Sequence, residues 1–181
     1  MSVRLRRLQR DYELLRREFD GHPAITVEPI AGNPPERYRV TYQVKGLMLD
    51  TGTKRPVETN HHVVEVYLHQ SYPREKPKCL MMTPIFHPNI TNWVCIGDHW
   101  AAGETLVDVL VQIGDMIQYR VYNPKSPLDP RAARWATENT ELFPIDNVDF
   151  YQPDVAIELH FDDEAEQGPS DEDKEIRIEF H

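Results

Sequence analysis

The sequence predicts an α+β domain built on an antiparallel meander. Three observations carry that expectation. An amphipathic helical period opens the chain, short alternating runs with brief links follow, and the helical period returns only after residue 105. Strands grouped ahead of helices, rather than interleaved with them, favour antiparallel pairing with the helices packed on the sheet.

Residues 2–19 form the first element. Leu5, Leu8, Tyr12, Leu15 and Phe19 recur at spacings of three and four, the period of one helix face. Arg4, Arg6, Arg7, Arg10, Arg16 and Arg17 crowd its other faces, and Gly21-His22-Pro23 stops it. Residues 25–30 read as a short strand. Tyr38, Val40, Tyr42 and Val44 alternate with polar residues as in a half-buried strand. Residues 46–60 read as a long connection, and 62–68 as a third strand rich in β-branched residues. A fourth apolar run, 78–82, is bounded by Pro73, Pro77 and Pro84.

Residues 84–100 show no clean period and are expected to form a long ordered loop, a kind of segment that usually carries function. Thr105-Leu106-Val107-Asp108 resembles a capping box. It opens a helix with Leu106, Leu110, Ile113 and Ile117 as the inner face. The proline-rich stretch 122–130 breaks that helix, and 130–140 is a further one with Pro130 in its first turn. From residue 146 acidic residues dominate. The expected division is therefore a catalytic-type domain at 1–145 and an acidic extension at 146–181. Within the extension, 155–161 and 175–180 alternate as short strands would, while 162–173 reads as a solvated linker.

The chain has 181 residues, a formal net charge of −10 and a hydrophobic fraction of 40%, with a pI of about 5.2. That charge argues against nucleic acid or an anionic membrane as the main partner. Two cysteines make no disulfide framework, and the Arg-rich start leads into no apolar run, so a cytoplasmic protein is expected. His61-His62 lacks spaced Cys or His partners, and no glycine-rich phosphate loop is present. No metal or organic cofactor is expected.

The chemistry concentrates in His87-Pro88-Asn89-Ile90-Thr91-Asn92-Trp93-Val94-Cys95. A thiolate can hold an acyl group as a thioester. A side-chain amide can donate to the oxyanion formed in acyl transfer, or can order a turn; Asn89 is open to both roles. Cys79, in an apolar strand, reads as structural.

The order of these parts resembles the ubiquitin-conjugating enzyme family. Tyr72-Pro73 with Lys76-Pro77-Lys78 looks like its Tyr-Pro…Pro-Pro segment, and residues 85–90 look like the signature ahead of its active site. Cys95 falls at the thioester cysteine, Trp100 at the tryptophan that follows, and Ser126 at a position usually Asp or Ser in the loop after the central helix. The resemblance covers about residues 4–141. It implies the family's fold, a four-stranded antiparallel sheet with an N-terminal helix and C-terminal helices.

The resemblance also implies a carrier reaction. Cys95 would accept ubiquitin or a ubiquitin-like modifier from an activating enzyme and pass it to an amine of a target protein. Asn89 and Ser126 would assist, with Asp98, His99 and Asp129 as nearby polar alternatives to Ser126. His87, Pro88, Trp100 and Asp98 would support the loop. Arg4, Arg6, Arg7 and Arg10 would present a docking surface to the activating enzyme. The loop between Asn89 and Cys95 is shorter than the family pattern, Ile96-Gly97-Asp98-His99 is not the common continuation, and no usual last helix follows Thr140. These departures resemble bacterial members encoded beside an activating enzyme and a ubiquitin-like protein, some in antiphage defence. The competing expectation is an inactive binding module of the same fold.

Overall fold

The computed structural model describes residues 2–97 and 100–151. Asp98, His99 and the expected strands at 155–161 and 175–180 lie outside the described residues.

Helix α1 spans Val3–Phe19, and Ser2 caps it by accepting a hydrogen bond from the Leu5 amide at 3.2 Å. Leu8, Leu15 and Phe19 are buried and Tyr12 packs partly buried against the core, while Leu5, at the first turn of the expected stripe, is exposed. Gly21, at φ 76°, turns the chain out of the helix through the left-handed region.

The strands are β1 (Ile25–Gly32), β2 (Pro35–Tyr42), β3 (Gly46–Leu49), β4 (Pro56–Thr59), β5 (His62–Tyr67) and β6 (Lys78–Met81). A four-stranded sheet runs β1-β2-β5-β6, antiparallel throughout. Tyr38, Val40 and Tyr42 pair with Val66, Val64 and His62, and all six are buried. Period-two alternation therefore sends one sheet face into the core.

Residues 46–60, expected as a connection, fold instead into the separate β3–β4 hairpin. Asp50 shapes its turn: Oδ1 accepts from the Gly52 amide, the Thr53 amide and the Thr53 hydroxyl. Each strand is four residues long, too short to show a period in the sequence. Leu47 buries against a second apolar cluster with Phe86, Tyr119, Ala132 and Ala136.

Helix α2 (Leu106–Ile117) opens with the expected capping box between Thr105 and Asp108. Leu106, Leu110, Ile113 and Ile117 are fully buried beneath the sheet. Helix α3 (Pro130–Glu138) has Pro130 in its first turn, and the Asp129 carboxylate caps it at the Arg131 and Ala132 amides. A short 3-10 turn, Thr140–Leu142, follows.

The chain then returns as an extended strap over residues 143–151. Phe150 is 1% exposed and lies edge-on to Tyr42, above Gly114, where a Cβ would run into the Phe150 ring. The buried core thus includes Phe150, an isolated aromatic that gave no period to read in the sequence. Among the described residues no helix is long and apolar enough to cross a membrane.

Candidate active site

The loop after β6 doubles back along the edge of the sheet. The Met81 amide donates to the Asn92 carbonyl and the Val94 amide to the Cys79 carbonyl, each at 3.0 Å. This return pairing sets Cys95 just beyond the sheet edge. The Cys95 amide donates to the Asn89 carbonyl at 3.0 Å, which fixes the thiol's backbone to the His87-Pro88-Asn89 turn. Cys95 is partly exposed and its thiol is free.

That tripeptide fastens two loops together. Asn89 is 5% exposed. Its Nδ2 donates to the Asn123 carbonyl at 2.9 Å and the Ser126 carbonyl at 3.1 Å, while Oδ1 accepts from the Asn123 amide at 2.6 Å. The Pro88 carbonyl accepts from the Leu128 and Asp129 amides at 2.7 and 3.1 Å. His87 is buried edge-on to Tyr119, and its Nδ1 accepts from the Asn89 amide at 3.0 Å. Burial pushes its pKa down to about 3, so the ring is neutral and serves as an acceptor, not as an acid at neutral pH.

Of the two roles open to Asn89, its hydrogen bonds here are those of a clamp. Both Nδ2 hydrogens are spent on loop carbonyls, leaving none for an oxyanion.

Cys95, Asn89 and Ser126 line one cleft of about 270 Å³. Gln112 and Met116 from α2 and Tyr122 from the following loop complete its walls. The stretch after the cysteine is held from two sides: Gln112 Nε2 donates to the Ile96 carbonyl at 3.1 Å, and Lys76 Nζ donates to the Gly97 carbonyl at 2.5 Å. Gly97 has φ 91°, a turn that aims its carbonyl where Lys76 reaches it. Sequence reasoning missed Gln112 and Tyr119. The signal for Gln112 was present, since it is the single amide in a strongly apolar helix.

The other expected residues are placed differently. Trp100 turns away from the cleft, donating from Nε1 to the Pro73 carbonyl at 2.8 Å and packing on Tyr72. Asp98 and His99 lie outside the described residues. Asp129 is committed to capping α3 and to Arg131.

Of the four arginines expected at a docking surface, two turn inward. Arg4 pairs with Glu36 and donates to the Leu68 carbonyl. Arg7 pairs with the buried Asp11 at 2.8 Å, donates to the Tyr72 hydroxyl at 2.9 Å and reaches the Ala102 and Glu104 carbonyls. A carboxylate buried on the inner side of the helix draws Arg7 inward. Arg6 and Arg10 remain exposed.

Cys79 is 2% exposed, and burial pushes its thiol up to about 12. It is inert packing. His62 is buried against Gly46 with its pKa held down at about 4 by burial. Among the described residues no three His, Cys, Asp or Glu side chains gather as metal ligands would.

Comparison with known proteins gives this arrangement its context. The sequence is 32% identical to ubiquitin-conjugating enzyme E2 K of Homo sapiens over 94 residues, covering 49% of this chain and 46% of that protein. It is 25% identical to ubiquitin-conjugating enzyme E2 N of Macaca fascicularis over 123 residues, covering 65% of this chain and 80% of that one. This chain thus spans about half the length of the E2 K proteins it matches. The fold is shared with the E2 domain of a Toxoplasma gondii ubiquitin conjugating enzyme, at a TM-score of 0.53 and 24% identity over 75% of this chain and 90% of that one. The family profile described as ubiquitin-conjugating enzyme matches residues 7–149, most of the described body, and the chain belongs to that family.

Proposed function

We propose that this chain carries ubiquitin or a ubiquitin-like protein as a thioester on Cys95. The observation that carries the reading is a free, partly exposed thiol on the wall of a cleft, with its flanking backbone pinned on both sides. The Cys95 thiolate attacks the carbonyl of the modifier's C-terminal thioester on an activating enzyme, whose own thiolate leaves. An amine of a target then attacks the new thioester. Cys95 leaves as a thiolate and the amine loses a proton.

Asn89 holds the 123–126 loop over the cleft, and Ser126 positions the incoming amine from its lip. Exposed Arg6 and Arg10 receive the activating enzyme. We place this reaction in a bacterial conjugation system on the strength of the altered stretch after Cys95; an activating enzyme and a ubiquitin-like protein encoded beside it would test that setting.

A second reading is a carrier that delivers its cargo to another thiol. It is favoured by the hydroxyl, rather than a carboxylate, at Ser126: a hydroxyl is a poor acceptor for an amine's proton at neutral pH.

The test is thioester formation with a matched activating enzyme, ATP and modifier, resolved on gels with and without reductant. A reductant-sensitive adduct present in Cys79→Ala and lost in Cys95→Ala supports the carrier. No adduct with a matched pair overturns it and leaves a binding module. Discharge onto free lysine compared with free cysteine then separates the two acceptors.

A further inference from the structure

The body and the extension carry very different charge. Residues 152–181 contain eleven of the thirty acidic residues and two of the twenty Lys and Arg, hence nine of the ten net negative charges. The described body is close to neutral. On α1, the exposed Arg6, Arg10 and Arg17 recur at spacings of four and seven and lie within one narrow stripe. Arg6 and Arg10 have no carboxylate partner among the described residues, and Arg17 holds only its neighbour Glu18. Glu13 is the one acid on that stripe, and Gln9 donates to it.

The strap fixes where the extension begins. Phe150 anchors it in the core, and the Tyr151 hydroxyl donates to Asp108 Oδ1 at 2.9 Å. Tyr151 shares the wall of a surface cleft with Leu14 and Arg17. The acidic segment therefore leaves the body at the C-terminal end of the arginine stripe. Glu18 and Asp108 flank that exit and repel acids from it, whereas the unpaired cations lie farther along the helix. From Arg17 to Arg6 the helix rises about 16 Å. Asp162, the first residue of the densest acidic run, is eleven residues beyond Tyr151, and eleven residues can span up to about 36 Å.

We propose that the acidic segment 152–181 occupies the Arg6–Arg10–Arg17 stripe of its own α1 and competes with any partner that docks there. Tethering makes the contact intramolecular, so modest ion pairs suffice to hold it. The contact itself does not depend on the carrier reading; only the identity of the displaced partner does.

The experiment uses the full chain with Cys95→Ala and a nitroxide on Ser170→Cys, Cys79 being buried. Amide intensities are recorded by NMR. The expected result is selective loss of intensity along α1 from Arg6 to Arg17, relative to β1. That loss should disappear in Arg6→Gln/Arg10→Gln/Arg17→Gln, and in about 1 M NaCl, where the screening length falls to about 3 Å. Uniform intensity across the surface overturns the proposal. So does loss that stays as deep when the nitroxide-labelled and isotope-enriched chains are different molecules, which would assign the contact to a second copy. A fluorescent deca-glutamate peptide supplies the competition readout. It should bind more tightly once Asp162, Asp163, Glu164 and Glu166 are changed to their amides; unchanged affinity also counts against the proposal. Neither readout uses thioester formation, so failure here is separable from failure of the carrier reading.

Discussion

Asn89 and Asn123 hold each other reciprocally: Asn89 Nδ2 donates to the Asn123 carbonyl at 2.9 Å, and the Asn123 amide donates to Asn89 Oδ1 at 2.6 Å. Two loops separated by α2 in sequence are thereby fixed across the Cys95 cleft. Asn89→Ala strands the Asn123 amide and two carbonyls, and is expected to cost about 2 kcal/mol in urea unfolding. Hydrogen exchange at residues 123–128 should rise with it. A residue acting only on an oxyanion would instead slow discharge at unchanged stability and unchanged exchange.

The two thiols should part cleanly in reactivity. With its pKa pushed up to about 12, Cys79 stays protonated and buried at pH 8. Iodoacetamide on the native chain should add one label, on Cys95, and none to Cys95→Ala. A second label before unfolding would mean that β6 opens locally, and would undo its assignment as inert packing.

Much of this was legible in the sequence because long periodic elements report themselves. The stripe Leu8–Leu15–Phe19 and the set Leu106–Leu110–Ile113–Ile117 are buried where their spacing put them. The reach of Asn89 was not legible, since its partners are backbone groups more than thirty residues away. Nor was the inward turn of Arg7. An arginine on a helix reads as solvated unless the buried Asp11 beside it is known, and Asp11 is buried because Tyr72 donates to it at 2.6 Å.

That inward turn separates the α1 arginines experimentally. Arg7→Ala leaves the Asp11 carboxylate, 1% exposed, without its cation, and should destabilise the fold by about 3–5 kcal/mol. Arg6→Ala removes an exposed side chain that has no carboxylate partner among the described residues, and should stay within about 0.5 kcal/mol. If Arg6 and Arg10 receive an activating enzyme, Arg6→Ala/Arg10→Ala should slow thioester loading while the thermal midpoint holds. Equal destabilisation by Arg6→Ala and Arg7→Ala would contradict the structural division drawn between them.

Gly114 and Phe150 form the joint that holds the strap. A Cβ at Gly114 would enter the Phe150 ring, so Gly114→Ala should eject the strap despite the better helix propensity of alanine. Phe150→Ala should cost about 3–5 kcal/mol by cavity formation. The two changes should be strongly non-additive, because once the ring is gone the methyl has room. Limited proteolysis near residues 143–151 gives the local readout; additive effects would mean that the ring and the helix do not compete for the same space.

Two buried histidines set a pH limit on the fold. Burial holds His62 at about 4 and His87 at about 3, both below the ordinary value of 6.5. The unfolded chain therefore binds more protons than the folded one between pH 6.5 and those values, so stability falls as pH falls through that window and is flat above about pH 7. At pH 5 each histidine should have removed about 2 kcal/mol. The depressed carboxylates Asp50, Asp108 and Asp129 act only at lower pH, since their unfolded forms begin to protonate near 4. Urea unfolding at pH 7.5 and pH 5 measures the difference. His62→Leu should shrink it by about half, whatever its effect at pH 7.5. An undiminished pH 5 loss in that variant would show that His62 is not held neutral in the fold.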